Sequence, residues 1–534
     1  MLATSRHLRA PLLIVSCLLV QRSAARDTNE GADSWNAAAR EELTAALRVR
    51  WNEGQARNVV LFVGDGMGPS TVTAARIYRA KEEGRLAFEH FPHVGLLKTY
   101  NADRQVPDSA STATALFSGV KGNYKTGGVD QSVQMDDCEA SLRPEARLKN
   151  MLHWAIEAGK DTGFVTTTRV THATPSALYA HHANRNWECE QRMPASASRC
   201  KDIARQLVED EPGRSIKVIM GGGRQCLNTN LTLGPSDPLD TWSCRRQDGR
   251  ELVSAWRQDK EARGLRHAVL ANTRDLRQMD VDDTDYVLGI FANGHLMYDF
   301  ERDKSPDGMP SLKEMTSVAI KVLSKNEKGF FLMVEGGMID MAHHRGYASR
   351  ALNETAAMSD AVQEVLDWVR LMDRTDTLVI VTSDHAHALS INGYPARGND
   401  ILGVGGRSKA DGVPFTTLTY ATGDLHAYNY SVGPNGTVVR PDPSTVDTTS
   451  FHYHQQAAIT SDEAHHAGVD VAVYATGPMA HLFHSLHEQN YVAHVMAYAA
   501  RLGPYAPSSG ARGLPQAGTV LVATVVCALV TFRL

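Results

Sequence analysis

The sequence predicts a doubly wound α/β fold: a mostly parallel central sheet flanked by helices, with an inserted surface subdomain at about 390–460. Three observations predict it. Short runs rich in Val, Ile, Leu and Phe recur along the chain, the composition of strands buried on both faces. Segments with helical spacing separate them, the alternation of βα units. Acids and histidines cluster where the runs end, and open α/β sheets gather their sites at the carboxyl ends of strands.

The elements follow in order. Residues 1–25 carry Arg6, His7 and Arg9, an apolar stretch from Leu12 to Val20, then Ser23-Ala24-Ala25, the pattern of a secretory signal peptide. In residues 26–48, Asp33 or Ser34 can cap a helical arm on which Trp35, Ala38, Leu43 and Leu47 recur. The main domain spans 49–500. Its first strand, 58–63, runs into the tight loop Gly64-Asp65-Gly66-Met67-Gly68 and a helix at 69–82. Further strands are expected at 163–168, 216–220, 286–291, 330–334, 377–383 and 470–475, with helices such as 311–325 and 352–371 between them. The stretch 390–460 is rich in Gly, Pro, Asn, Thr and Ser and has little helical period, hence the inserted subdomain. Residues 501–534 hold Ser508-Ser509-Gly510-Ala511, a spacer and an apolar run from Thr519 to Phe532, the layout of a GPI-attachment signal with a removed tail.

Composition narrows the function. A net charge of −5 argues against a nucleic-acid-binding surface, which would need a basic stripe. Of the seven cysteines, Cys17 and Cys527 lie in the removable ends. Cys138, Cys189, Cys200, Cys226 and Cys244 remain in an oxidising compartment, and an odd number leaves at least one thiol free or paired between chains. Cys138, Cys200, Cys226 and Cys244 are the disulfide candidates. Sequons at Asn230, Asn353, Asn429 and Asn435 are glycosylation candidates on the same route.

The chemistry lies at the strand ends. Asp65 follows the first strand, and its flanking glycines permit close approach. Glu335, Asp340 and His344 follow FFLMV; Asp340 and His344 are four apart and share a helix face, as one metal would require. Asp384-His385 ends TLVIVTS, and His172 with Thr174 follows GFVTTTRVT. His466 stands beside His465, and chemistry does not choose between them. Asp108-Ser109 opens a run of small residues that can start a helix, where an anion and an activated hydroxyl are both favoured. A capping serine is the commoner use of such a residue, and Ser111 competes as nucleophile. Arg185 has the geometry to clamp phosphate oxygens, although a lone arginine is more often a solvated surface group. His181, His182, His343 and His387 are assigned surface or supporting roles.

NVVLFVGDGMG, VPDSASTATA, THATPSALYAHHANR, FFLMVEGGMIDMAHH, VTSDHAH and HAGVDVAVYATGPMAH resemble, in order and at similar spacing, the animal alkaline phosphatases over about residues 34–500. The resemblance implies hydrolysis of phosphate monoesters through a phosphoserine at Ser109, not Ser111, with Arg185 on the phosphate. It implies two Zn2+ and one Mg2+. Asp340, His344 and His466 match the ligands of the first zinc, so His466 is preferred to His465. Asp384 and His385 match those of the second zinc, and Asp65 is shared between that zinc and the magnesium. Thr174 and Glu335 match the remaining magnesium ligands, and His172 a histidine just behind them. A Cys138–Cys200 disulfide, a homodimer contacting through the 34–48 helix, and attachment to the outer cell surface through a lipid anchor are implied as well.

Three departures stand out. Met341 replaces the family's usual histidine. Ala292, after Phe291, and Leu239 replace two glutamates of the family's calcium site, so no calcium site is expected. The family's C-terminal disulfide has no cysteines here. Two rivals frame the reading: a phosphodiesterase or sulfatase of the same broad superfamily, and a non-catalytic GPI-anchored binding protein. The Ser109, Thr174 and Glu335 set favours monoesters, and the complete ligand set favours an enzyme.

Overall fold

The computed structural model describes residues 31–507 apart from 235, 428 and 429; the expected signal peptide, most of the attachment signal, and Asn429 lie outside the described residues. The chain divides into two units, one up to Arg50 and one from Trp51 onward. In the first, α1 (Ala32–Arg48) leaves Leu43 and Leu47 exposed and has no buried residue. Among the described residues no helix is long and apolar enough to cross a membrane.

The second unit is built on ten strands: β1 (Asn58–Gly64), β2 (His93–Lys98), β3 (Asp161–Arg169), β4 (Val218–Gly222), β5 (His267–Leu270), β6 (Tyr286–Ile290), β7 (Phe330–Gly336), β8 (Thr377–Ser383), β9 (Val471–Thr476) and β10 (Ser485–Glu488). Their order across the sheet is β10-β2-β9-β8-β1-β7-β3-β4-β6-β5. Neighbours are parallel except where β9 meets β2 and β8. The sheet is therefore mostly parallel, as expected. β2, β5 and β10 are additional to the strands expected from sequence.

The central strands are buried on both faces, and their pleat divides the core. Val60 and Phe62 of β1 join Leu332, Val334, Val379 and Val381 on one face. Val59, Leu61 and Val63 join Phe331, Met333, Leu378 and Ile380 on the other. Register then decides the site. Gly64 pairs with Gly336 of β7 and with Ser383 of β8, and Glu335 pairs with Thr166 of β3. Asp65, Glu335 and Asp384 consequently leave the sheet at one level.

Four helices matter to that level. Besides α2 (Pro69–Ala80), they are α3 (Ser109–Ser118), α4 (Ala173–Tyr179) and α5 (Met338–His344). Asp108 caps α3 by accepting from the Ala110 N–H at 3.2 Å, and Gly119, at φ 78°, ends it in the left-handed conformation. Residues 389–460 contain no α-helix among the described residues. They form a three-stranded sheet (Leu389–Ile391, Leu418–Gly423, Ala457–Thr460) and two small two-stranded ones.

Candidate active site

β1 ends in a loop that only glycine can make. Gly66 has φ 70°, and a Cβ there would stand 2.7 Å from the His387 ring. The loop delivers Asp65 into a fully buried setting. Thr174 Oγ1, on α4, lies 3.5 Å from Asp65 Oδ2. Glu335 Oε2 accepts from the Thr166 and Thr168 hydroxyls at 2.5 and 3.2 Å. His385 Nε2 lies 3.4 Å from Asp65 Oδ1 and 3.2 Å from Asp384 Oδ2.

α5 supplies the neighbouring cluster. Asp340 Oδ2 is 3.3 Å from His344 Nε2, and Asp340 Oδ1 is 3.4 Å from His466 Nε2. His344 and His466 turn their Nδ1 atoms to the carbonyls of Ala464 and Pro107, at 3.0 and 2.8 Å. With Nδ1–H donated to those carbonyls, the two Nε2 atoms face inward, 2.9 Å apart. His465 instead reaches Ser461 and Asp462 at the surface.

Ser109 Oγ sits inside this set. It donates toward Asp65 Oδ1 at 3.3 Å and lies 3.1 Å from His385 Nε2. Ser111 is committed elsewhere: its hydroxyl holds Asn101 at 2.7 Å and Asp108 at 2.6 Å. Arg185 places one Nη 3.4 Å from Asp108 and the other 3.1 Å from His172 Nε2. A cavity of about 420 Å³ opens over these groups, bordered by Asp108, His172, Arg185, Asp340, His344 and His466.

The electrostatics fit bound cations. Burial, then the Asp384, Asp340 and Glu335 carboxylates, hold Asp65 well above the usual carboxylate range. Burial pushes Glu335 up to about 7 and Asp384 up to about 6. Glu335 Oε1, His172 Nδ1 and His385 Nδ1 are buried with no hydrogen-bond partner. Facing lone pairs, crowded carboxylates and orphaned acceptors all lack the same thing, a positive charge among them. Three ligand groupings can supply the donors: Asp65 with Asp384 and His385; Asp65 with His172 and Glu335; and Asp340 with His385, His387 and His466, each within 4.8 Å. His387, assigned only a supporting role from sequence, approaches Asp340 Oδ1 to 2.6 Å. His172 lies with Asp65 and Glu335 in one of these groupings.

A second buried charge cluster borders the cavity. Arg169, at the end of β3, grips both Glu188 oxygens at 2.8 Å and also pairs with Asp240. Burial would raise Glu188, but the Arg169 guanidinium overrides it and holds that carboxyl at about 2. Sequence reasoning missed this cluster; no spacing pattern joins residues 169, 188 and 240.

Comparison with known proteins decides the family. The family model for alkaline phosphatase matches residues 56–502. The chain belongs to the alkaline phosphatase family. It is 43% identical over 528 residues to the tissue-nonspecific alkaline phosphatase of Gallus gallus, covering 96% of this chain and 98% of that one. Alkaline phosphatase of Gadus morhua is 45% identical over 483 residues, with 88% and 97% covered. The membrane-bound alkaline phosphatase of Bombyx mori is 42% identical over 463 residues, with 84% and 81% covered. Among solved structures, the Thermus thermophilus alkaline phosphatase superposes with a TM-score of 0.57 at 26% identity, over 85% of this chain and 93% of that one. The alkaline phosphatase from the Antarctic bacterium TAB5 gives 0.56 at 20% identity, over 85% and 100%, a likeness of fold.

As an alkaline phosphatase, the protein is a metal-dependent hydrolase of phosphate monoesters. Its disulfides require a correction. Cys138 pairs with Cys200 as expected. Cys244 pairs with Cys189, which was left out, and Cys226 is the free thiol. The three sulfurs crowd one buried pocket, so spacing could not tell them apart. Cys226 Sγ stops 3.8 Å from Cys244 Sγ, and burial, then Glu188, pushes its thiol up to about 12. Among the sequons, Asn230 and Asn435 are exposed, whereas Asn353 is half-buried within the helix Ala348–Leu371. Met341 is buried at the cavity wall, and Ala292 is buried with its carbonyl accepting from the Gly223 and Arg224 N–H groups.

Proposed function

We propose that Ser109 is the nucleophile of this alkaline phosphatase and that Asp65, Thr174, Glu335, Asp340, His344, Asp384, His385 and His466 hold two Zn2+ and one Mg2+. One observation carries this reading: Ser109 Oγ lies among the ligand atoms, between Asp65 Oδ1 and His385 Nε2, at the start of α3. Asp340, His344 and His466 suit one zinc, Asp384 and His385 the other, and Asp65 lies between that pair and the Thr174–Glu335 pair. When bound, the cations lower the pKa of the serine hydroxyl and offset charge on the phosphoryl oxygens.

The chain's own groups do the rest. Arg185 donates to two equatorial oxygens and fixes the phosphorus in line with Ser109 Oγ. Asp108 orients that guanidinium and caps α3, whose N-terminus faces the developing charge. Ser109 forms the P–O bond as the substrate's alcohol leaves. Water then attacks phosphorus from the same side the alcohol left, and Ser109 is released. Brief acid quench with labelled phosphate is expected to trap label on Ser109; label on Ser111 overturns the assignment.

The small-residue segment with its short apolar tail supports display on the outer cell surface through a lipid anchor, and the Bombyx mori relative is named as membrane-bound. The exposed Leu43 and Leu47 of α1 support a homodimer that buries this stripe. Release by phosphatidylinositol-specific phospholipase C, and loss of dimer mass in light scattering on removal of residues 26–48, test the two; retention in either case refutes it.

A further inference from the structure

The charged floor of the cavity accounts for the phosphoryl group and leaves the other half of the substrate unassigned. That half must project toward the mouth. There the wall carries Trp242, which is 52% exposed although it borders the cavity.

An exposed tryptophan alone means little. This one is held on both sides. Its backbone N–H donates to Asp240 Oδ1 at 2.9 Å, and Asp240 is itself tied to Arg169. Two residues on, Cys244 is locked to Cys189. The buried Gln225 side chain braces the turn, donating to the Asp240 and Cys244 carbonyls at 3.0 and 2.9 Å and accepting from the Asp240 N–H at 2.8 Å. The Arg345 guanidinium, at the end of α5, lies over the indole 5.0 Å from the ring centroid. The braced turn thus presents an apolar ring at the edge of a polar pocket, which lowers the ordering left for substrate to impose.

We infer that Trp242 is a specificity-determining residue that stacks on the leaving alcohol of phosphomonoesters bearing a planar aromatic or heteroaromatic group, nucleoside monophosphates among them. The inference rests on this cavity being the catalytic one. Stacking of a base on an aromatic side chain is worth on the order of a tenfold change in affinity or more.

The test compares adenosine 5′-monophosphate with ribose 5-phosphate, which differ by the base alone, in full-length metal-loaded enzyme. In Trp242→Ala the ratio of their kcat/KM values is expected to fall about tenfold, mainly through KM for the nucleotide. Trp242→Phe, which keeps a ring, is expected to hold most of the ratio. A ratio unchanged within about twofold, or one that rises because a bulky side chain has been removed, overturns the inference. Equal loss on both substrates also overturns it, since that reports a collapsed loop. Failure here with Ser109→Ala inactive sinks the inference alone; an active Ser109→Ala sinks the reading of the site beneath it.

Discussion

Two buried charge clusters differ in whether the fold supplies them with a cation. Around Asp65, three carboxylates crowd together, their pKa values lifted and several polar atoms unpartnered. Around Arg169, a cation already sits between Glu188 and Asp240, and Glu188 is held at about 2. Burial penalises both clusters alike. The difference is that the second carries its own cation and the first must import one. The raised Asp65, Glu335 and Asp384 thus contrast with Glu188, whose cation is built into the fold.

The largest effect should come from the cluster that imports charge. Asp65→Asn is expected to lower kcat/KM by at least about 10³-fold and to reduce the metal content measured by elemental analysis. In chelated protein the same change should raise the melting temperature, because it removes one of the crowded carboxylates. A lowered melting temperature in chelated protein would place Asp65 in the structural class with Arg169.

Next is the cluster that carries its own cation. Arg169→Ala leaves Glu188 and Asp240 buried without their cation and should cost about 3–5 kcal/mol. Denaturant unfolding should show the loss equally with metal present or chelated. A loss confined to the loaded enzyme would mean that Arg169 acts through the metal site.

The smallest effect, and the sharpest contrast, lies in pH. In chelated protein, Asp384 at about 6 stands above its ordinary value of 3.8. Such a group stabilises the fold below its unfolded pKa, and that contribution is lost as pH rises through 4 to 6. Glu188, at about 2 against an ordinary 4.5, does the opposite: its contribution is present above 4.5 and is lost as pH falls toward 2. Each swing amounts to about 3 kcal/mol. Chelated wild type should therefore lose stability as pH rises from about 4 to 7, through Asp384 together with Asp65 and Glu335, and Asp384→Asn should lessen that loss; the loaded enzyme should show only the acid-side fall. A flat profile for the chelated protein between pH 4 and 6 would remove the distinction between the clusters.

The first cluster was legible in sequence and the second was not, for a physical reason. Asp65, Glu335 and Asp384 each follow a run buried on both faces, so composition alone marks the strand and its end. Arg169 also ends a strand, but its partners come from a loop at 188 and a turn at 240 that no periodicity announces. The same rule separates the strands. β1, β7 and β8 are continuous apolar runs, whereas β2 alternates, with Val94 and Leu96 exposed. β2 becomes a strand through β9 and β10, far along the chain, and only tertiary pairing reveals it. The contact of His387 with Asp340 joins two elements and has no signature in spacing. The cysteine count foresaw a free thiol but could not choose Cys226 among three sulfurs in one pocket.

The alignment of Gly64 with Gly336 and Ser383 has a consequence for how the molecule matures. Donor atoms drawn from positions 65 to 466 stand together only after β1 has closed against partners more than 260 residues away. Such closures are slow steps, and no shorter piece of the chain contains the whole ligand set. Ion uptake is accordingly a late event that reports completion of the central sheet. A secretory cell that supplies the metal only in its later compartments would load finished molecules and leave unfinished ones empty.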